Sequence, residues 1–288
     1  MTLFARGTPK ASLRWDLSPD ERHRLQEESG PVRRLEVIGL LVRHPSLIPD
    51  AIRDALRGAN EGLRNSPELQ WLVQIQRTRR VVPDAAIGTN WHGESDFVDH
   101  LLSKTHSDER ALEIGCGGGR ISRHIAPHVR ELICADVSEL ILREARATLA
   151  GCDNVGFARV TGLGLRNFDD ASFDLVFAHD VLINFDPNQA LATLEAARRV
   201  LRGGGRCVTS YYTIDRPAWA REQVELVRKA GRSNRFGATL PRPYTSEQID
   251  AWHTAVGMSV IDHCYGDQTG SDLRAHYIVT GQVPDSPA

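Results

Sequence analysis

The sequence predicts an α/β fold: a mostly parallel, seven-stranded sheet flanked by helices, ended by an antiparallel hairpin and preceded by a helical cap. Three observations predict it. From Arg110 onward, short apolar runs alternate with helix-like stretches, the pattern of a parallel sheet covered on both faces. The last two strand-like runs, Met258–Tyr265 and His276–Gln282, lack the helix-length connection between them that parallel pairing would need, so they suit a hairpin at the sheet edge. Before about residue 90 the apolar residues recur at helical spacing without strand-like alternation.

The cap opens on a helix start. Ser18-Pro19-Asp20-Glu21 combines a serine cap, a proline at the first helical position and acids facing the positive end of the helix dipole. Leu35, Ile38, Leu41 and Val42 then recur at helical spacing and stop before His44-Pro45. Pro49 opens a second amphipathic run with Ile52, Leu56 and Leu63, and Ser66-Pro67-Glu68 opens a third with Leu69, Leu72, Val73 and Ile75. The sheet region follows, with strands expected at Ala111–Ile114, Leu132–Ala135, Val155–Val160, Phe173–Ala178 and Arg206–Tyr211. Helices are expected near Arg120–Ala126, Glu139–Ala150 and Asn188–Leu201, and Gly203-Gly204-Gly205 reads as a tight turn into the fifth strand. The division expected is a helical cap over 1–90 and a sheet domain over 91–288, with 213–257 inserted as a substrate-enclosing lid.

Composition narrows the function classes. The chain's 288 residues can bury one large core or two modest ones, and 41% apolar with 25% charged residues is ordinary for a soluble protein. No stretch approaches the roughly 18 apolar residues of a spanning helix, and the opening segment lacks a signal-peptide core, so a cytoplasmic protein without membrane attachment is expected. Five scattered cysteines with no C-x-x-C pair, and eleven histidines without ligand spacing, point to no metal and no disulfide framework. A net charge of −2 gives no basic face for nucleic acid; Arg33-Arg34 and the Arg77, Arg79, Arg80 cluster read as solvated helix faces. The three lysines, Lys10, Lys104 and Lys229, against many arginines fit a GC-rich bacterial genome.

The chemistry-bearing stretch is Ala111 to Asp136. A buried strand runs into the glycine turn Gly115, Gly117, Gly118, Gly119, which opens a helix, so backbone N–H groups can approach a ligand closely. About twenty residues on, the next strand ends in Asp136, the distance at which an acid receives ribose hydroxyls. Together they indicate an adenosyl ligand. The dinucleotide fingerprint would need a third glycine where Arg120 stands, whereas this chain places Glu113 ahead of the first glycine.

Glu113, Gly115, Gly117 and Gly119 resemble, position for position, the first motif of the class I S-adenosylmethionine-dependent methyltransferases, and the resemblance spans about residues 85–281. It implies a Rossmann-like sheet and S-adenosyl-L-methionine as cofactor. The Gly115–Gly119 backbone, with Cys116, would then face the methionine part and Asp136 the ribose hydroxyls, with Val137 beside it. Where that family usually carries a Gly-Asp pair this chain has Thr161-Gly162, so adenine recognition would fall to backbone near Gly162 and Leu163. Losing one such hydrogen bond costs about 1 kcal/mol.

The fourth strand ends in His179-Asp180, at the sheet edge where ligands of open α/β sheets bind; the resemblance implies that this strand end lines the cofactor and substrate pocket, with His179 also a cofactor contact. His179 has the intrinsic pKa of a general base for a hydroxyl acceptor, or it hydrogen-bonds within the pocket wall; Asp180 binds substrate or caps the next helix. Tyr211 and Tyr212 at the end of the fifth strand, and Trp91 as a lid contact, are the substrate-side candidates. The function expected is methyl transfer to an oxygen or nitrogen of a small metabolite, largely by proximity and alignment. Methylation of RNA or protein, and a non-catalytic adenosyl-binding protein of the same fold, are the alternatives. Apolar residues of the cap could also form a homodimer interface.

Overall fold

The computed structural model describes residues 13–28, 67–89, 94–215, 224, 228, 243–266 and 276–285. The runs expected at 35–42 and 49–63, the Trp91 position and most of the interval 216–242 lie outside the described residues. In chain order the helices are α1 (Pro19–Glu28), α2 (Pro67–Val81), α3 (Glu94–Leu102), α4 (Ser122–Ile125), α5 (Glu139–Thr148), α6 (Pro187–Val200) and α7 (Ser246–Ala255). The strands are β1 (Arg110–Ile114), β2 (Glu131–Asp136), β3 (Val155–Arg159), β4 (Phe173–Ala178), β5 (Leu201–Thr213), β6 (Pro243–Tyr244), β7 (Ser259–Tyr265) and β8 (His276–Gln282). The chain divides into two compact units, one of residues 1–91, 117–120 and 138–153, the other of 92–116, 121–137 and 154–288.

In the first unit α1 starts as its sequence dictates. The Ser18 hydroxyl accepts the Glu21 N–H at 3.2 Å while the Glu21 carboxylate accepts the Ser18 N–H at 2.8 Å, a reciprocal capping box. Arg14 ties Glu21 to Asp84 at 2.8 and 2.7 Å, and Leu17, Leu25, Val82 and Ala85 pack beneath. α5 carries Ile141, Leu142 and Ala145 on its buried face; Arg79 of α2 pairs with its Glu144 at 2.5 Å.

The second unit holds the sheet, in the order β3-β2-β1-β4-β5-β8-β7, with two-residue β6 added parallel to the end of β5. The first five strands run parallel; β8 pairs antiparallel with both β5 and β7, which is the hairpin the sequence predicts. β1 and β4 are buried almost throughout, as central parallel strands are when both faces are covered. The core runs through Leu112, Val176, Leu194, Cys207, Ile249 and Val279.

Two expectations need correction. Gly203–Gly205 is not a turn: α6 passes straight into β5, and the glycines lie inside that strand. The pairing jumps from Phe173↔Leu201 to Leu175↔Arg206, so these small residues let extra chain bulge out of the ladder. The helix after the glycine loop is also shorter than expected, because Pro127 converts its end to a 3-10 turn over Ala126–His128.

Candidate functional site

β1 and β2 are neighbours in register, Ile114 opposite Ala135, so the glycine turn and the acid leave the sheet side by side. The N–H groups of Gly115 and Cys116 both donate to the Ala135 carbonyl, at 2.7 and 3.0 Å. That carbonyl belongs to the residue before Asp136, so the loop is pinned beside the acid. Gly115, Gly117 and Gly119 have φ of 71°, 54° and 88°, the left-handed region that only glycine enters cheaply. At Gly115 a Cβ would also lie 2.5 Å from a Val181 methyl. Glu113, 2% exposed in mid-sheet, accepts the Ser122 hydroxyl, which ties β1 to the start of α4.

Asp136 is 5% exposed, whereas the next residue, Val137, keeps 41% of its surface in solvent. An exposed aliphatic group directly after a buried acid is an apolar surface available to a flat ring. Cys116 shares a hydrogen bond with Cys134 and is buried; both effects push its thiol well above the ordinary range, so it is a neutral group of the loop. Gly162 has φ of 72° and Leu163 is partly buried; a side chain at 162 would meet open space but a strained backbone. The left-handed backbone explains why glycine occupies the place where the resembling family carries its acid.

His179 and Asp180 follow β4, on the strand next to β1. The His179 ring stacks on Phe97 of α3 at 4.4 Å, its Nδ1 lies 3.0 Å from Ser210 Oγ and its Nε2 3.4 Å from Asp180 Oδ2. Ser210 Oγ also accepts the Asp180 N–H at 3.1 Å, holding Asp180 in the left-handed region at φ 59°. The His179 side chain is 1% exposed and that of Asp180 25%. Asp180 is not a helix cap: Val181 precedes the following 3-10 turn, and α6 is capped by Asp186 in a capping box with Gln189.

The two tyrosines separate by strand alternation. Tyr211 is fully buried and meets Trp252 and His253 of α7 edge-on at 6.5 and 6.3 Å, and burial raises its hydroxyl pKa. Tyr212, 7% exposed, sits opposite Pro243 of β6. Sequence reasoning missed Phe97 and Ser210. Nothing in the sequence marks them, because each acts through a neighbour brought in from another element. Among the described residues no cluster of histidine, cysteine or acidic side chains could hold a metal, and no helix is long and apolar enough to cross a membrane.

Comparison with known proteins fits this geometry. Residues 111–205 match the model of a methyltransferase domain. The chain is 32% identical over 149 residues to a demethylmenaquinone methyltransferase of Clavibacter sepedonicus, covering 50% of this chain and 59% of that protein. It is 28% identical over 172 residues to an uncharacterised methyltransferase of Mycobacterium tuberculosis, covering 57% and 66%. The chain thus spans about three fifths to two thirds of these relatives. Among solved structures, the Burkholderia thailandensis 1,6-didemethyltoxoflavin-N1-methyltransferase, with 1,6-didemethyltoxoflavin and S-adenosylhomocysteine bound, shares the fold at TM-score 0.56 and 16% identity over 75% of this chain and 86% of that one. The stretch that matches a methyltransferase domain, 111–205, thus runs from β1 into β5 of a sheet whose fold is shared with solved S-adenosylmethionine-dependent methyltransferases.

Proposed function

We propose that this protein transfers the methyl group of S-adenosylmethionine to an oxygen or nitrogen of a small-molecule metabolite. The observation that carries the reading is the pinning of the Gly115–Cys116 turn beside Asp136, with exposed Val137 next to it. A buried carboxylate suits vicinal hydroxyls, a bare backbone suits an amino-acid tail, and an apolar surface suits a base. In this reading Glu113, Gly115, Cys116, Gly117 and Gly119 serve the methionine end, Asp136 the ribose, and Val137, Gly162 and Leu163 the adenine.

When bound, the cofactor supplies a methyl group on a positively charged sulfur. The chain's own residues then hold and orient the acceptor. Of the His179–Asp180 pair, Asp180 is the more exposed, so it meets the acceptor while His179 stands behind it. Ser210 Oγ stands 3.0 Å from His179 Nδ1, and the ring's Nε2 lies 3.4 Å from the Asp180 carboxylate, an ion-pair distance when the ring carries a proton. A hydroxyl acceptor would lose its proton toward this pair; a neutral amine needs no base before attack. Tyr212 and Trp91 are proposed on the substrate side, with Tyr211 packed in the core against Trp252 and His253. A small acceptor is favoured by the 32% identity to a demethylmenaquinone methyltransferase. The setting proposed is the cytoplasm of a bacterium, in secondary metabolism.

The test combines calorimetric titration with S-adenosylmethionine and S-adenosylhomocysteine and a screen of hydroxylated and aminated metabolites with methyl-labelled cofactor. Binding of both cofactor forms and labelled product from at least one metabolite are expected. No binding of either form at high micromolar concentration refutes the reading. Binding without transfer to any acceptor leaves the non-catalytic, adenosyl-binding alternative.

A further inference from the structure

Glu68 stands on the first turn of α2, outside the residues that match the methyltransferase domain, yet it is 5% exposed. A carboxylate so deeply buried needs partners, and three of them lie at the start of α5. Its Oε1 accepts the Glu139 N–H at 2.8 Å; its Oε2 accepts the Ser138 hydroxyl at 2.7 Å and the Leu140 N–H at 3.3 Å. The Ser138 hydroxyl in turn accepts the Ile141 N–H at 3.3 Å. The first N–H groups of a helix have no partner inside it, and negative charge is favoured there. Glu68 therefore finishes, from seventy positions away in sequence, a cap that Ser138 only begins. Ser138 is separated from Asp136 by one residue, Val137.

The same helix reaches the glycine loop. Trp71, one turn after Glu68, brings its indole within 3.7 Å of where a side chain on Gly117 would begin. One helix thus holds the segment after the ribose acid through hydrogen bonds and the glycine loop through packing.

We propose that Glu68 is a positioning residue for the S-adenosyl cofactor: by capping α5 it fixes the Asp136–Val137–Ser138 segment in the conformation that presents the acid to the ribose. The inference rests on the reading of Asp136 as the ribose ligand. Without Glu68, the Ser138 hydroxyl and two backbone N–H groups lose their shared acceptor, the first turn of α5 frays, and the segment after β2 loses this anchor while keeping its ties to the β3 side, the Val160 N–H on the Asp136 carbonyl and Arg159 on the Val137 carbonyl. The cost falls on cofactor affinity, because Glu68 itself touches no reacting atom.

The experiment measures S-adenosylhomocysteine affinity by calorimetry and thermal stability by calorimetric unfolding, in the full chain, for the wild type, Glu68→Ala, Glu68→Gln, Ser138→Ala, the Glu68→Ala/Ser138→Ala double variant and Val73→Ala. Val73 is buried on the same helix and serves as the control for simple destabilisation of α2. Glu68→Ala is expected to weaken binding about tenfold or more, and Glu68→Gln, which keeps one acceptor oxygen, to fall between it and the wild type. Val73→Ala is expected to lower the unfolding temperature with affinity unchanged within twofold. The Glu68 and Ser138 losses should be less than additive, since both remove one network. Wild-type affinity within twofold for both Glu68 variants overturns the proposal, as does a Val73→Ala loss equal to that of Glu68→Ala, or strict additivity. Should the wild type bind no S-adenosylhomocysteine, the functional reading itself fails, an outcome distinct from all of these.

Discussion

Replacing Gly115 by alanine tests the loop geometry most directly. Two separate costs are expected. The backbone there has φ of 71°, and forcing an L-residue into the left-handed region costs about 1–2 kcal/mol. The new Cβ would also stand 2.5 Å from a methyl of Val181; β-branching leaves valine few ways to turn aside, and overpacking of this kind costs about 1–3 kcal/mol. Gly115→Ala should therefore destabilise by about 2–5 kcal/mol, or roughly 5–15 °C in melting temperature for a chain of this size. Val181→Ala removes the methyl but not the backbone strain. The double variant should thus be more stable than the sum of the single losses predicts, by the steric share of about 1–3 kcal/mol. Denaturant unfolding of the four proteins gives the coupling. Additivity within about 0.5 kcal/mol would show that Val181 does not crowd the loop, and the packing argument would fail.

Other outcomes follow from the same site and its surroundings. Asp136→Ala should weaken S-adenosylhomocysteine binding by about 1.5–3 kcal/mol, the range for hydrogen bonds to a charged group; calorimetry showing unchanged affinity would remove the ribose assignment. Ser210→Ala takes away the acceptor of the Asp180 N–H, so stability should fall by about 1–3 kcal/mol, with kcat lowered more than KM once an acceptor is known; an unchanged unfolding midpoint would contradict it. Burial holds the His253 pKa below its ordinary value of 6.5, against the opposing pull of the Ile249 carbonyl and Asp250. The unfolded chain therefore takes up a proton that the folded chain refuses, so this contribution is full above pH 6.5 and shrinks as pH falls below it. His253→Gln should flatten the fall in melting temperature between about pH 7 and 5, and an unaltered slope would refute the assignment. Glu21, held at a pKa of about 2 first by the Ser18 N–H and then by Arg14, contributes stability above its ordinary 4.5 that is lost as pH falls toward 2; the acid side of the stability profile should be shallower in Glu21→Gln.

Much of this architecture is legible in the chain because it is encoded locally. The Ser18–Glu21 box, the β1 turn and the Asp136 strand end each lie within a few residues, where glycine, proline and acids have defined conformational preferences. The strand set was readable for the same reason, since parallel strands in mid-sheet are continuous apolar runs. Sequence reading failed where the meaning of a residue depends on a distant partner. Gly203–Gly205 looks like a turn alone and becomes a bulge only against β4. Asp180 could be a cap or a ligand until Ser210, thirty residues later, fixes its backbone. Tyr211 and Tyr212 were distinguishable as opposite-facing, but only the packing of α7 shows which of them lies under Trp252.

The position of β8 has a consequence for how the protein is made. The last described strand in chain order is not last in the sheet: it lies between β5 and β7, matched to β5 from Arg206↔Gln282 to Tyr212↔His276. On the ribosome, β5 is complete well before its antiparallel partner exists, and its long hydrogen-bonding edge waits through the synthesis of more than sixty further residues. Exposed edges of that kind recruit other chains. Late premature termination should therefore send this protein into aggregates instead of leaving it shortened and folded.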